Sequence, residues 1–301
     1  MTLNEILADI KSPRKKKVVI DTDAYNEIDD QFAIVYSLFS DKIDIEAIYA
    51  APFFNGNSTS YENGMERSYD EIIRVLDCCK KDYSFPVLKG SRVSIDESGK
   101  AADSEAARHL IELAHSSDEI IYVFGMAAIT NVSSAIMLDP TIKDKICVIW
   151  LAASETHADH LDEFNLCQDY KAGQLILNSG VPLLLCPAWS VVWALKANLA
   201  QILELKDVSP ACNCLYDLGY GYYCGAGKPD GWFRCLWDIA APAILDNPDC
   251  ADIDIITAPL MTDDRKYAFD STRHKIMILR RIDRDLTFDS AWSVIKNNSA
   301  I

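Results

Sequence analysis

Lys17-Val-Val-Ile-Asp21-Thr-Asp23-Ala-Tyr-Asn-Glu-Ile-Asp29-Asp30 decides how this chain of 301 residues is read. The β-branched run at 18–20 ends in two carboxylates, Asp21 and Asp23. Asp29 and Asp30 come six and seven residues after Asp23, and the apolar spacing Ala33, Ile34, Leu38 begins directly behind them. The pattern predicts a buried strand, a turn, and a helix whose first turn carries Asp29 and Asp30. Acidic groups just beyond the C-terminal end of a parallel strand stand where open α/β sheets bind ligands. Four aspartates within ten residues repel one another unless a cation or bound protons neutralise them. Hard oxygen donors in this number suit calcium or magnesium rather than zinc.

Working outward, further strands are expected at 43–50, 86–90, 119–124, 145–152, 181–186 and 253–258. Helices are expected at 66–79, 104–114, 132–138 and 168–178. Later in the chain the spacing predicts helices at 191–205, 233–245 and 288–297, and an antiparallel pair of strands at 266–269 and 275–282. The Tyr- and Gly-rich segment 214–232 shows no usable period. Polar loops are expected at 52–60, 91–103 and 153–166, the second long enough to be a lid or rim. Strands alternating with helices predict an α/β fold, an open and mostly parallel sheet with helices on both faces. No linker or repeat interrupts the pattern, so residues 1–301 are read as one domain.

Charge narrows the partners. With 29 basic against 45 acidic residues the formal charge is −16, which argues against nucleic acid or an anionic membrane. Arg14-Lys15-Lys16-Lys17 is read as a solvated lead-in to the first strand rather than a nucleic-acid patch. The ten cysteines are scattered, and Cys212-Asn-Cys214 lacks the second pair that a zinc site needs. They are read as buried thiols of a reducing compartment. Met1-Thr-Leu-Asn-Glu shows no secretory pattern, and the most apolar span, 181–195, is short and holds Pro182 and Pro187. A soluble, cytoplasmic protein is expected.

Three further segments fall in order behind the opening motif: Gly125-Met-Ala-Ala-Ile-Thr130-Asn131, Glu163-Phe164-Asn165 and Trp237-Asp238. Together with Asp21-x-Asp23 and Asp29-Asp30 they resemble the signature of the nucleoside hydrolases, the inosine–uridine-preferring ribohydrolase family. The resemblance implies a calcium ion held by Asp23, Asp30, Asp238 and the backbone carbonyl of Thr130. It implies that Asp29, Asn165, Glu163 and Asn55 bind the ribose, with Asn57 close to the last position. It further implies hydrolysis of a ribonucleoside, or a related riboside, to ribose and free base by a homodimer or homotetramer. In that mechanism the metal orients a water and lowers its pKa, and Asp23 takes the proton as general base.

Two departures from the family pattern stand out. The turn at 24–28 is about two residues longer than usual. Trp237 stands where pyrimidine-accepting members carry a His that helps protonate the leaving base. A Trp there resembles the purine-preferring branch, in which an aromatic stacks on the base, so substrate preference leans weakly to purine. That branch's second aromatic, on the 90–100 loop, has no counterpart in Ser91-Arg92-Val93-Ser94. Phe53, Phe54, Tyr222, Tyr223 and Trp232 are the candidates to replace it.

Other readings of the acidic stretch fit less of the chain. An EF-hand loop would need Gly at Asn26 and Glu at Phe32. A haloacid-dehalogenase-type phosphotransferase also places Asp-x-Asp after its first strand, but it gives Asp29-Asp30 and Glu163-Phe-Asn165 nothing to do. A calcium- and ribose-binding protein without turnover is the alternative if the leaving base has no acid.

Overall fold

The computed structural model describes residues 1–298. Twelve strands are defined among these residues: β1 (Lys16–Thr22), β2 (Ile43–Ala50), β3 (Val87–Lys89), β4 (Ile121–Gly125), β5 (Ile146–Leu151), β6 (Leu183–Cys186), β7 (Lys196–Asn198), β8 (Phe233–Cys235), β9 (Ala251–Thr257), β10 (Leu260–Met261), β11 (Tyr267–Ala268) and β12 (Lys275–Ile282). Eight of them form one sheet in the order β3-β2-β1-β4-β5-β6-β12-β9. Every pairing in it is parallel except β12 with β9. This is the open α/β sheet expected from the sequence.

Strand alternation divides the core between the two faces. Val18, Ile20, Phe124, Ile149 and Leu184 pack on one side with the helix Asp29–Phe39. Val19, Val123, Val148, Trp150 and Leu185 pack on the other, against the helices Glu105–Ser116, Thr130–Leu138 and Tyr170–Ser179. The chain runs from β1 outward to β2 and β3, then returns to β4 on the opposite side of β1. A crevice therefore opens between β1 and β4 at their C-terminal ends, where the strand order reverses.

Several expected elements take another form. Residues 191–205 are not one helix. They hold a single 3-10 turn, Val192–Ala194, then β7 and the short helix Leu199–Leu203. The unassigned aromatic segment lies mostly within a helix, Pro210–Gly225, in which a Cβ on Gly219 would meet Ile202 at 2.9 Å. Residues 233–245 begin as β8, which pairs with β7, and Trp237-Asp238 lie in the 3-10 turn Trp237–Ile239 rather than within a helix. The late strands do not pair with each other: β11 pairs with β10, and β12 joins the main sheet. Lys16 is not solvated. It is fully buried, and its ammonium donates to the carbonyls of Ser12 and Arg14. None of the ten cysteines is paired in a disulfide among the described residues, and seven of them are buried. Among the described residues no helix is long and apolar enough to cross a membrane.

Candidate active site

A cavity of about 310 Å³ occupies the crevice. Its floor is the opening motif. β1 delivers Asp21 and, one residue past its end, Asp23; the turn brings the chain back so that Asp29 and Asp30 start the next helix. Favourable placement of acids in a helix's first turn explains why the pair is tolerated there. Asp238 arrives from the 3-10 turn on the far wall. One carboxylate oxygen from each of Asp29, Asp30 and Asp238 lies within 4.8 Å of the others, and all three residues are buried.

The floor is short of donors. Asp30 Oδ1 accepts from the Thr22 hydroxyl, and Asp29 Oδ2 accepts from the Trp237 amide at 3.1 Å. Both oxygens of Asp23 and Oδ1 of Asp238 are buried without a hydrogen-bond partner among the described residues. Burial, then Asp30, Asp29, Glu27 and Asp21, pushes the Asp23 carboxyl well above the usual range. Asp30 and Asp238 are raised for the same reasons, burial first and their acidic neighbours next. Burial and Glu27 lift Asp29 to about 6, while Arg234 opposes the rise. Buried carboxylates with unused lone pairs fit an oxygen-ligated divalent cation, which would satisfy the orphaned oxygens and cancel the repulsion.

Asp21 does not join this group. Its Oδ1 accepts from Asn131 Nδ2 at 2.7 Å, and Asn131 Oδ1 in turn accepts from the Ser91 amide at 2.8 Å. Thr130, expected as a carbonyl ligand, is not among the residues that line the cavity. It is the first residue of a helix, so its carbonyl points along the helix axis toward the next turn. Its hydroxyl donates to Asp169 Oδ2 at 2.7 Å, and it does not line the cavity; Met126, just past β4, does.

Asn165 and Glu163 line the cavity together. Glu163 caps the short helix Phe164–Gln168: its carboxylate accepts from the amides of Asn165, Leu166 and Ala153 at 2.9, 3.0 and 2.9 Å. Asn165 Nδ2 is spent on the Leu151 carbonyl at 3.0 Å, leaving Oδ1 to accept from a ligand. Asn55 is not a lining residue. Its Nδ2 donates to Asn26 Oδ1, while Asn57 Nδ2 donates to the Asn26 carbonyl at 2.9 Å, and it is Asn26 that lines the cavity. The lengthened turn has thus moved into the position from which Asn55 was expected to act. Gln31 supports it from behind, donating to the Ala24 carbonyl at 2.6 Å and to Glu71 at 2.9 Å.

The opposite wall is aromatic. Trp237 packs against Trp193 (centroids 5.0 Å apart) and Trp189 (5.4 Å), and Trp193 meets Phe233 at 6.1 Å. Lys196 Nζ sits 4.2 Å from the Trp193 ring centroid, a cation–π contact that holds this ring in place. Trp189 and Phe233 are about half exposed at the mouth. Trp189 and Trp193 were missed in the sequence, where Trp193 read as part of the helix 191–205 and Trp189 fell just before it. Two exposed tryptophans four residues apart, just after a strand ending at the crevice, were the available signal. Of the aromatics proposed instead, Phe53 is fully buried, Trp232 packs on Tyr223, and Tyr222 lies under Arg234.

Fold and site together define a doubly wound α/β protein with a carboxylate-floored, tryptophan-walled pocket at the point of strand reversal. A model of the inosine-uridine preferring nucleoside hydrolases matches residues 18–289. The chain belongs to that family, which makes it an N-glycosidase by class. No curated protein sequence matches it. The fold is shared with a purine-preferring ribonucleoside hydrolase from Gardnerella vaginalis (TM-score 0.76, 18% identity, covering 95% of this chain and 99% of that one). It is shared also with a plant nucleoside hydrolase (0.72, 18%, 94% and 99%) and with an inosine-uridine preferring enzyme from Bacillus anthracis (0.71, 16%, 93% and 99%). Membership of this family removes the phosphotransferase reading.

Proposed function

We propose that the chain hydrolyses the N-glycosidic bond of a ribonucleoside, with preference for purines, and does so with calcium. One observation carries the reading: a single cavity has orphaned carboxylates at one end and three tryptophans at the other. The first suits a cation and a sugar diol, the second a flat, bicyclic base.

Calcium would be held by Asp23, Asp30 and Asp238, with the carbonyl of Met126 taking the place expected for Thr130. Bound there, it would supply positive charge that acidifies water and attracts the ribose hydroxyls. Asp23 accepts the proton of the attacking water. Asp29 and Asn165 Oδ1 accept hydrogen bonds from the 2′- and 3′-hydroxyls. Glu163, with one acceptor position left on Oε1, and Asn26, held by Asn55, take the outer part of the sugar. The carboxylate field also stabilises the oxocarbenium charge that builds as the bond to the base lengthens. Trp237 and Trp193 stack on the base.

The test is release of free base from inosine, guanosine, adenosine and uridine, with calcium and with chelator. Release is expected to need calcium and to be faster for the purines. Asp23→Ala should lower kcat by about 10²–10⁴-fold. Full activity of that variant, or calorimetric binding of a riboside with no base release by the wild type, would overturn the reading.

A further inference from the structure

As a C1′–N bond breaks, its electron pair stays on the base nitrogen, and that charge has to be met. Among the described residues that line the cavity there is no histidine or lysine for it. Arg234 is the one basic residue among the described residues that line it. Resting on the hydrolase reading above, we propose that Arg234 stabilises the departing base as an anion, and that Glu27 positions it there.

Three features place the guanidinium for this. Arg234 is in β8, directly between the wall residue Phe233 and Cys235, and its backbone is registered against Ala197 of β7. Its Nη2 makes an ion pair with Glu27, and its guanidinium carbon lies 5.2 Å from the Tyr222 ring centroid. No other hydrogen bond ties the guanidinium to the described residues, and Nε is buried without a partner. A cation oriented by one carboxylate and one ring, with donors left over, is ready for an acceptor on a ligand.

Glu27 also gives the longer turn a purpose. It lies within the lengthened segment and lines the cavity beside Arg234. The insertion thus brings the carboxylate that holds the arginine, in a chain whose Trp237 cannot donate a proton to a base.

The bookkeeping closes without an acid. Water oxygen bonds to C1′ and its proton passes to Asp23. The C1′–N bond breaks, and the base takes the electron pair. Arginine does not give up a proton near neutral pH, so it meets the charge by donating hydrogen bonds. The base is protonated by solvent on release, and Asp23 returns its proton to solvent.

A residue acting on the leaving group matters most when that group is poor. Wild type, R234Q, R234K and E27Q are compared on inosine and on 4-nitrophenyl β-D-ribofuranoside, whose nitrophenolate departs with little help. R234Q is expected to lose about 10²-fold in kcat on inosine, with a loss on the nitrophenyl riboside at least tenfold smaller. R234K should recover part of the difference, and E27Q should show the same asymmetry at smaller size. Equal losses on both substrates in R234Q and E27Q would assign the pair a structural role and overturn the proposal. A wild type that releases neither hypoxanthine nor nitrophenolate would sink the hydrolase reading itself, a separate result.

Discussion

Glu163 holds three backbone amides with one carboxylate, and those bonds favour its charged form. Burial acts the other way and is the stronger effect, so the group is pushed up from 4.5 to about 7. Between those values the folded chain binds a proton that the unfolded chain has released. The group's contribution to stability is therefore full below about pH 4.5 and is lost as pH rises through about 7. In chelator, unfolding free energy should fall between pH 5 and pH 7.5. Glu163→Gln should flatten that fall by up to about 3 kcal/mol, read from urea melts at the two pH values. Persistence of the full slope in the variant would reject the assignment. At this scale the sequence is most informative for side chains whose chemistry is rare in an apolar setting. Asp21, Asp23, Asp29 and Asp30 stand out because four aspartates in ten residues repel one another, whereas Asp238 was found only through the family resemblance. A backbone carbonyl leaves no such mark, and Met126 rather than Thr130 lines the cavity. Asn55 shows a different limit: it donates to Asn26, and it is Asn26 in the longer turn that lines the cavity.

Element by element, periodicity served where one face is buried and failed where packing is unusual. The parallel strands are nearly continuous apolar runs and were read within a residue or two. The helix Pro210–Gly225 carries four tyrosines and three glycines and so lacks an apolar stripe; Gly219 is there because Ile202 leaves no room for a Cβ. The segment 91–103, expected as a loop long enough to be a lid or rim, is not among the residues that line the cavity. It contains the helix Ile95–Ser98, whose first amides donate to Asp169 at 2.7 and 3.1 Å. The join between β3 and this segment is a sharp test of how the elements meet. A Cβ on Gly90 would lie 2.3 Å from the Ala50 carbonyl oxygen and 2.4 Å from Asn131 Nδ2. Gly90→Ala should cost about 1–3 kcal/mol and lower activity by displacing Asn131 from Asp21. Gly56→Ala, where a Cβ meets nothing within 4 Å, is the matched control. Equal urea midpoints for the two variants would show that the contact yields easily.

For the whole molecule, the acidic floor would couple the fold to the proposed cation. Four buried carboxylates bring together strand β1, the helix Asp29–Phe39 and the far wall, and their repulsion opposes folding until it is neutralised. Calcium at a hundredfold excess over its dissociation constant should add about 2.7 kcal/mol to the unfolding free energy. For a chain of this length that is a rise in Tm of several degrees. Asp30→Asn should abolish most of the calcium-dependent rise while raising the Tm of the metal-free protein, because one repelling charge is gone. A calcium-independent Tm in the wild type would contradict the proposed site. The sheet order itself was legible only in outline. Alternation predicted parallel strands, but the path of the chain from β6 to β12 and β9 depends on contacts across nearly a hundred residues.

The tryptophan wall has one more consequence, for observation. The chain has six tryptophans, and three of them, Trp189, Trp193 and Trp237, share one cluster at the cavity with ring centroids 5.0–5.4 Å apart. Indoles this close exchange excitation energy, so a base stacking on any one of them would dim the emission of all three and alter their near-ultraviolet circular dichroism. The protein carries its own optical reporter of occupancy. On the proposed function, binding of a riboside would be timed by stopped-flow fluorescence on the unlabelled chain.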